Sequence, residues 1–257
     1  MNKRGIIFLL CFITLLLLFC FYKQYKYTES FIESEIQLVI ARYNEDLKWL
    51  NSDPFSKYNN IIYNKSDNNN FETSNKTEKV VQLQNVGRCD HTYIYHIIEN
   101  YDKLATITVF LPGSVNMEYK FNKSKRLLME LEKSDKNVFI TESKHNNVKD
   151  DLYDFQLDSW KASDAANASL NNEKNLEKSN IRPFGKWYED KFKNIKIENV
   201  TYGGIFSVSK KEILQHPKSY YENLIKDLET SSNPEVGHYF ERSWNAIFYP
   251  MTETKFI

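Results

Sequence analysis

Short apolar runs alternate with amphipathic stretches along most of the chain, and this alternation limits the fold more than any other feature of the sequence. Strands are predicted at Ile36–Ala41, Asn60–Tyr63, Lys79–Leu83, Ala105–Leu111 and Gly204–Val208. Helices are predicted at Asp46–Leu50, His91–Tyr101, Lys123–Lys133, Lys186–Phe192, Pro217–Leu228 and Glu235–Phe248. Strands separated by helices are typical of a three-layer α/β fold, in which helices flank a mostly parallel sheet.

The N-terminal leader predicts a membrane helix. Lys3 and Arg4 precede an apolar run from Gly5 to Tyr22. As a helix this run would be about 27 Å long, near the lower limit for a membrane span. A cleaved signal peptide is the alternative, but bulky residues follow the run where a small-x-small cleavage site would be expected.

These features predict three parts of the chain: an anchor at residues 1–22, a polar stem at 23–35 and one globular domain at 36–257. The short basic tail favours a single-pass type II protein. Its body would then be luminal or extracytoplasmic, in the ER or Golgi or on a viral membrane.

Charge and cysteine content argue against two kinds of site. The chain has 34 basic and 34 acidic residues, so no net positive charge supports binding to nucleic acid. Cys11 and Cys20 lie in the leader, which leaves Cys89 alone in the domain. An internal disulfide in the domain is therefore excluded, and no Cys/His spacing typical of zinc is present.

Polar residues follow the first two predicted strands. Arg42, Asn44 and Glu45 come after the first, and Asn64 and Lys65 come after the second. Ligands of open α/β sheets bind outside the carboxyl ends of the strands, so we expect these side chains to meet in one crevice. The alternatives are a helix cap by Asn44, a surface ion pair of Arg42 and an ordinary Asn-Lys turn.

The segment NVGRCD, residues 85–90, predicts an anion site before a helix. Gly87 permits a tight turn, and the first amides of the helix would face an anion beside Arg88 and Asn85. A hydrolase that uses Cys89 or His91 is a further hypothesis, but no partner base is recognisable. His91 and His96 are five residues apart, which does not align two metal ligands on one helix face.

Two later segments are also candidates. Gly203 and Gly204 precede a short strand, and close packing is the alternative role for both glycines. Ser209 and Glu212, which follow that strand, have the spacing of a capping box.

In HYFERSW, His238, Glu241 and Arg242 lie within one helical turn, while Phe240 and Trp244 can face the core. A carboxylate in this setting is a candidate general base. The alternative is a surface pair of Glu241 with Arg242.

The order of these segments resembles the family known as domain of unknown function 3431, found in fungi, bacteria and giant viruses. The segments that carry the resemblance are VIARYNEDLKWL, YNK, NVGRCDHTYIYHIIENYD, VFLPG, RPFGKWYEDKF, GGIFSVSKKEI and HYFERSWNAIF. Together they cover about residues 36–249. The family usually has Glu where this chain has Asp90, and often Gln where it has Pro112.

The layout also looks like a compact, Rossmann-like glycosyltransferase-A core, which is an argument by analogy. This resemblance implies transfer of a sugar from a nucleotide-sugar donor to a hydroxyl of a glycan or protein acceptor. Arg42, Asn44 and Glu45 would hold the nucleotide, and Asn64, Lys65 and Arg88 would offset the diphosphate charge. Gly203 and Gly204 would lie under the donor sugar. Glu241 would take the acceptor proton, with His238 and Arg242 orienting it.

A glycosyltransferase-A fold is expected to have Asp-x-Asp after a strand such as residues 106–111, where it holds a divalent metal. This chain has Pro112-Gly113-Ser114 there and no Asp-x-Asp anywhere. No metal ligand is therefore assigned, and Mn²⁺ or Mg²⁺ stays open as a cofactor. The alternative function is a non-catalytic, membrane-anchored carbohydrate-binding or virion surface protein of the same fold.

Overall fold

A computed structural model describes residues 12–23, 36–134, 136–161 and 176–257. The chain divides into two compact units, Met1–Glu35 and Ile36–Ile257. In the first unit, residues 12–23 form a helix, α1. Among the described residues, no helix is both long and apolar enough to cross a membrane. The start of the predicted span and nearly all of the stem lie outside the described residues, so the anchor stays a prediction.

The second unit contains the strands of the protein's sheets. In chain order they are β1 (Ile36–Arg42), β2 (Asn59–Asn64), β3 (Thr77–Gln82), β4 (Ile107–Pro112), β5 (Asn137–Phe139), β6 (Ser143–Lys144), β7 (Asn199–Val200), β8 (Phe206–Ser209) and β9 (Thr254–Phe256).

The main sheet has the order β3-β2-β1-β4-β8. Its first four strands run parallel, and β8 pairs antiparallel to β4. A mostly parallel α/β sheet was predicted, and the structure confirms it.

Helices and short 3-10 turns connect these strands. The helices after α1 are α2 (Arg88–Glu99), α3 (Glu118–Leu131), α4 (Val148–Asp151), α5 (Phe184–Phe192), α6 (Lys210–Ile213), α7 (Lys218–Leu224), α8 (Glu235–Glu241) and α9 (Trp244–Ile247). The 3-10 turns are Lys48–Asn51, Phe55–Lys57, Tyr101–Lys103, Gly113–Asn116 and Ile225–Leu228.

Both faces of the sheet are buried at β1, as the continuous apolar run of this strand predicts. Val39 and Ala41 belong to one core cluster with residues of α2, α5 and α8. Leu38 and Ile40 point to the opposite face and are also fully buried. Since burying one such Leu or Ile side chain contributes about 1.5–3 kcal/mol, β1 is strongly fixed at the centre of the domain.

The last predicted helix is broken, and this prediction was wrong in length. In place of one helix over Glu235–Phe248, the chain forms α8 and α9 with a break at Arg242 and Ser243. The guanidinium of Arg242 donates to the carbonyl of His238 at the end of α8. Phe240 and Trp244 are buried on both sides of the break, as predicted.

The predicted helix at Asp46–Leu50 was also wrong in type, because the chain forms only a 3-10 turn at Lys48–Asn51. Asp46 accepts a hydrogen bond from the Lys48 amide, which favours a tight turn. The predicted capping box of Ser209 and Glu212 is present at the start of α6.

Candidate functional site

A crevice lies at the carboxyl ends of β1 and β4. The chain extends the sheet from β1 to β2 and β3 on one side, then returns to the other side of β1 for β4. Such a reversal of strand order leaves an opening beyond the strand ends, where ligands of open α/β sheets bind.

The crevice has two adjoining parts. The inner chamber, of about 100 Å³, is lined by charged residues of the strand ends and helix starts, chiefly Glu45, Lys65, Arg88, Asp90, Lys120 and Glu241. The outer chamber, of about 340 Å³, is lined mainly by aromatic and basic residues, chiefly Tyr119, Phe155, Trp160, Tyr202, Lys123 and Arg242. The residues common to both are Arg88, Lys120, Trp160, Gly203, His238 and Glu241.

Arg42 ends β1 and fixes the loops at the edge of the inner chamber. Its side chain is 1% exposed. The guanidinium donates to Asn64 Oδ1 at 2.7 Å and to the carbonyls of Glu45 and Asn68, and it stacks over Phe71 at 3.8 Å. Its donors are directed into the protein's own loops, which is the role of a residue that positions the site.

Asn44, Glu45 and Asn64 belong to the same loop network. Asn64 is fully buried and does not line the crevice. Asn44 is exposed on the outer side of the loop and accepts a hydrogen bond from Asn68, so it does not cap a helix. Glu45 lines the inner chamber, and its carboxylate accepts hydrogen bonds from the amides of Tyr43 and Asn44.

Lys65 stabilises the turn that precedes α2. Its ammonium donates to the carbonyls of Val86 and Arg88 and is 7% exposed. Burial lowers the pKa of Lys65 to about 7. Gly87 and Arg88 both have positive φ, 57° and 54°. A Cβ on Gly87 would collide with the Leu228 carbonyl, so this turn requires glycine.

Arg88 is held at the wall between the chambers. Its guanidinium lies 3.7 Å from the centre of the Trp160 ring and 3.0 Å from His238 Nε2. Burial, followed by the positive charges of Arg88 and Arg242, lowers the pKa of His238 to about 2. The imidazole is therefore neutral and accepts from Arg88, so His238 positions the guanidinium.

Glu241 lies at the same wall. Its Oε1 accepts from the Gly203 amide at 2.6 Å, and its Oε2 is 3.8 Å from Arg242 Nη1. The side chain of Glu241 is 21% exposed, so the carboxylate can reach a ligand. Arg242 stacks on Phe155 at 3.6 Å, which fixes it at the edge of the outer chamber.

The remaining predicted site residues, Asn85, Gly203 and Gly204, lie in or next to the crevice. Asn85 lines the inner chamber. Gly203 has φ of 75°, lines both chambers and presents its amide to Glu241. Gly204 has φ of 65° and packs closely against Cys89, since a Cβ added to Gly204 would be 2.9 Å from Cys89 Sγ.

The crevice offers no support for a hydrolase that uses Cys89 or His91. Burial raises the pKa of the Cys89 thiol, which disfavours the nucleophilic thiolate. His91 stacks on Tyr95, and burial lowers its pKa to about 3.

Among the lining residues that the sequence did not single out as site residues are Asp90, Ser114, Lys120 and Trp160. Lys120 lies in the first turn of α3, and its ammonium donates to Ser114 Oγ at 2.7 Å. Trp160 comes from a segment without regular structure. Of these four residues, only Asp90 had a signal in the sequence, because the family that the chain resembles usually has Glu at this position.

Asp90 is a buried carboxyl on the first turn of α2. It is 3% exposed, and burial raises its pKa to about 7, although the nearby charge of Arg88 acts in the opposite direction. Because Asp90 occupies the start of the helix, an anion there would meet a carboxyl group. The predicted anion site must therefore depend on the cationic side chains more than on the amides of α2.

Comparison with known proteins gives a family but no activity. No curated protein matches the chain significantly. One solved structure with similarity is 4-diphosphocytidyl-2C-methyl-D-erythritol synthase from Anaerococcus prevotii DSM 20548, at 11% identity. The similarity covers 88% of this chain and 87% of that chain with a TM-score of 0.35, which is too low to support an argument. The family model described as "Protein of unknown function (DUF3431)" matches residues 38–255, so the chain belongs to that family.

Proposed function

We propose that the protein is a glycosyltransferase that moves a sugar from a nucleotide-sugar donor to an acceptor hydroxyl. The observation that supports this most is the meeting of Arg88, Lys120 and Glu241 in one crevice at the strand ends. Cations for a diphosphate and a carboxylate for a hydroxyl proton are the groups that this reaction requires.

The donor binds with its diphosphate in the inner chamber. Its diphosphate is bound by Arg88, whose planar guanidinium suits two-point contact with phosphate oxygens. The stack on Trp160 and the hydrogen bond to His238 hold this guanidinium in place before the donor arrives. Arg42 contributes indirectly, because it holds the β1 and β2 loops that form the edge of the chamber.

The acceptor lies in the outer chamber. The aromatic side chains of Tyr202, Trp160 and Phe155 offer apolar faces to the sugar rings of a glycan. Lys123 and Glu142 form an ion pair at its rim, and Lys123 also donates to the carbonyl of Tyr202, which keeps that aromatic residue in position.

Glu241 lies between the two parts and takes the acceptor proton as the new bond forms. Its contact with the Gly203 amide fixes the carboxylate, and this amide would remain in place when the second oxygen binds the hydroxyl. His238 is neutral and cannot serve as a charged partner of Glu241. Its contribution is to orient Arg88.

The proposal is tested with the full chain and a panel of UDP- and GDP-sugars. A glycosyltransferase is expected to hydrolyse at least one donor slowly without acceptor, and faster release of the nucleotide is expected when the correct acceptor glycan is added. Measuring released UDP or GDP gives the result directly. Sugar affinity without turnover of any donor would instead support the non-catalytic carbohydrate-binding alternative.

A further inference from the structure

The region after β4 is chemically unsuited to a metal ion. A glycosyltransferase-A fold implies a divalent metal held by acids at this point, but the residues here are Pro112-Gly113-Ser114. A side chain on Gly113 would lie 2.7 Å from the Glu45 carboxylate, so the position has no room for a ligand side chain. Among the described residues, no three His, Cys, Asp or Glu side chains are grouped closely enough to hold a metal.

An ammonium group is present at this point of the structure. Lys120 Nζ lies 2.7 Å from Ser114 Oγ, directly beyond the end of β4, and Lys120 lines both chambers. The positive charge of Lys120 would repel a divalent cation at the same place. The residues present therefore do not fit the metal that the fold resemblance implies.

Lys120 has the features of a cation that can bind an anionic ligand. Lys120 is only 9% exposed. In the described part of the chain, its ammonium donates a hydrogen bond to Ser114. A lysine ammonium has three donors, and buried charges are normally paired. Across the crevice is Gly203, where an added Cβ would be in van der Waals contact with Lys120 Cε at 3.9 Å, and Lys120 lines the open space of both chambers.

We propose that Lys120, together with Arg88, stabilises the departing nucleoside diphosphate in place of a metal, so that transfer needs neither Mn²⁺ nor Mg²⁺. This inference depends on the proposed function. The bond between the anomeric carbon and the diphosphate oxygen breaks, and its electron pair goes to that oxygen. The acceptor oxygen bonds to the anomeric carbon and gives its proton to Glu241. Lys120 stays protonated and donates hydrogen bonds to the diphosphate as its negative charge grows.

The test compares the wild-type full chain with Lys120→Met, Lys120→Arg and Lys125→Met, each after treatment with EDTA. Lys125 is an exposed lysine on the same helix and serves as the matched control. We expect the wild type and Lys125→Met to keep donor turnover within twofold in EDTA. Lys120→Met is expected to lose about 10²–10³-fold, as when one charge-stabilising donor is removed, and Lys120→Arg to recover part of the loss.

Binding of inorganic pyrophosphate in EDTA gives a second readout that does not require turnover. The wild type and Lys125→Met are expected to bind it, and Lys120→Met to bind it at least tenfold more weakly, with unchanged circular dichroism. Wild-type turnover that disappears in EDTA and returns with Mn²⁺ would overturn the inference and leave the proposed function intact. Equal pyrophosphate affinity in wild type and folded Lys120→Met would also overturn it. Pyrophosphate binding through Lys120 without turnover of any nucleotide sugar would refute the proposed function and leave only the anion site.

Discussion

Glu241→Gln is expected to lower the rate of donor turnover by about 10²–10⁴-fold, the range for loss of a general base. Glutamine has the same shape, and its side-chain oxygen can still accept from the Gly203 amide, so the wall between the chambers should remain in place. What it lacks is the negative oxygen that would take the acceptor proton in the proposed reaction. The measurement is the initial rate of UDP or GDP release under saturating donor.

Glu222→Gln is the matched control, because Glu222 is an exposed carboxylate on α7. It should keep the wild-type rate. Donor affinity should change little in Glu241→Gln, since the carboxylate contacts the acceptor in this account. A Glu241→Gln protein that keeps wild-type turnover would show that another group accepts the proton.

Arg42→Met is expected to lower the free energy of unfolding by about 3 kcal/mol. The methionine fills part of the space but removes the guanidinium donor from the Glu45 carbonyl, and it leaves Asn64 Oδ1 and the Asn68 carbonyl with the longer hydrogen bonds from the Ser66 amide and Asn64 Nδ2. Buried acceptors without partners are costly, and the stack on Phe71 is lost as well. Urea unfolding followed by circular dichroism measures this change.

Arg126→Met is the control for the arginine substitution, since Arg126 is exposed on α3. Its unfolding free energy should stay within about 0.5 kcal/mol of wild type, as for most surface changes. If Arg42→Met is as stable as wild type but loses nucleotide affinity, then Arg42 contacts the ligand directly and the positioning role is wrong.

Much of the fold follows from the sequence because it depends on local patterns. Continuous apolar runs such as residues 38–41 indicate strands buried on both faces, and β1 lies at the centre of the sheet as that pattern implies. The small strands β5 and β9 were missed, since three-residue strands carry no periodic signal. They are joined to β8 by the buried Glu212, which accepts hydrogen bonds from Asn137 and Thr254.

The candidate site was predictable in part for a geometric reason. Carboxyl ends of parallel strands share one edge, so the polar residues after β1 and β2 had to lie near each other. The sequence does not show which side-chain donors form hydrogen bonds within the loops themselves. Arg42 and Asn64 are in the expected place, but they bind each other and the loop backbone.

Neither Lys120 nor Trp160 could be predicted as a site residue from the sequence. In the sequence Lys120 precedes the helix predicted at Lys123–Lys133, and nothing local marks it as a site residue among the neighbouring lysines. Its importance arises when α3 begins beside the end of β4 and buries the ammonium against Ser114. Trp160 lies in an irregular segment, and only the folded chain brings it onto Arg88.

The crystal structure of a complex with a nucleoside diphosphate tests most directly whether this crevice binds a nucleotide. We expect the diphosphate between Arg88 and Lys120 in the inner chamber, with the Glu241 carboxylate free to face the outer one. A nucleotide bound elsewhere, with Arg88 and Lys120 untouched, would contradict it.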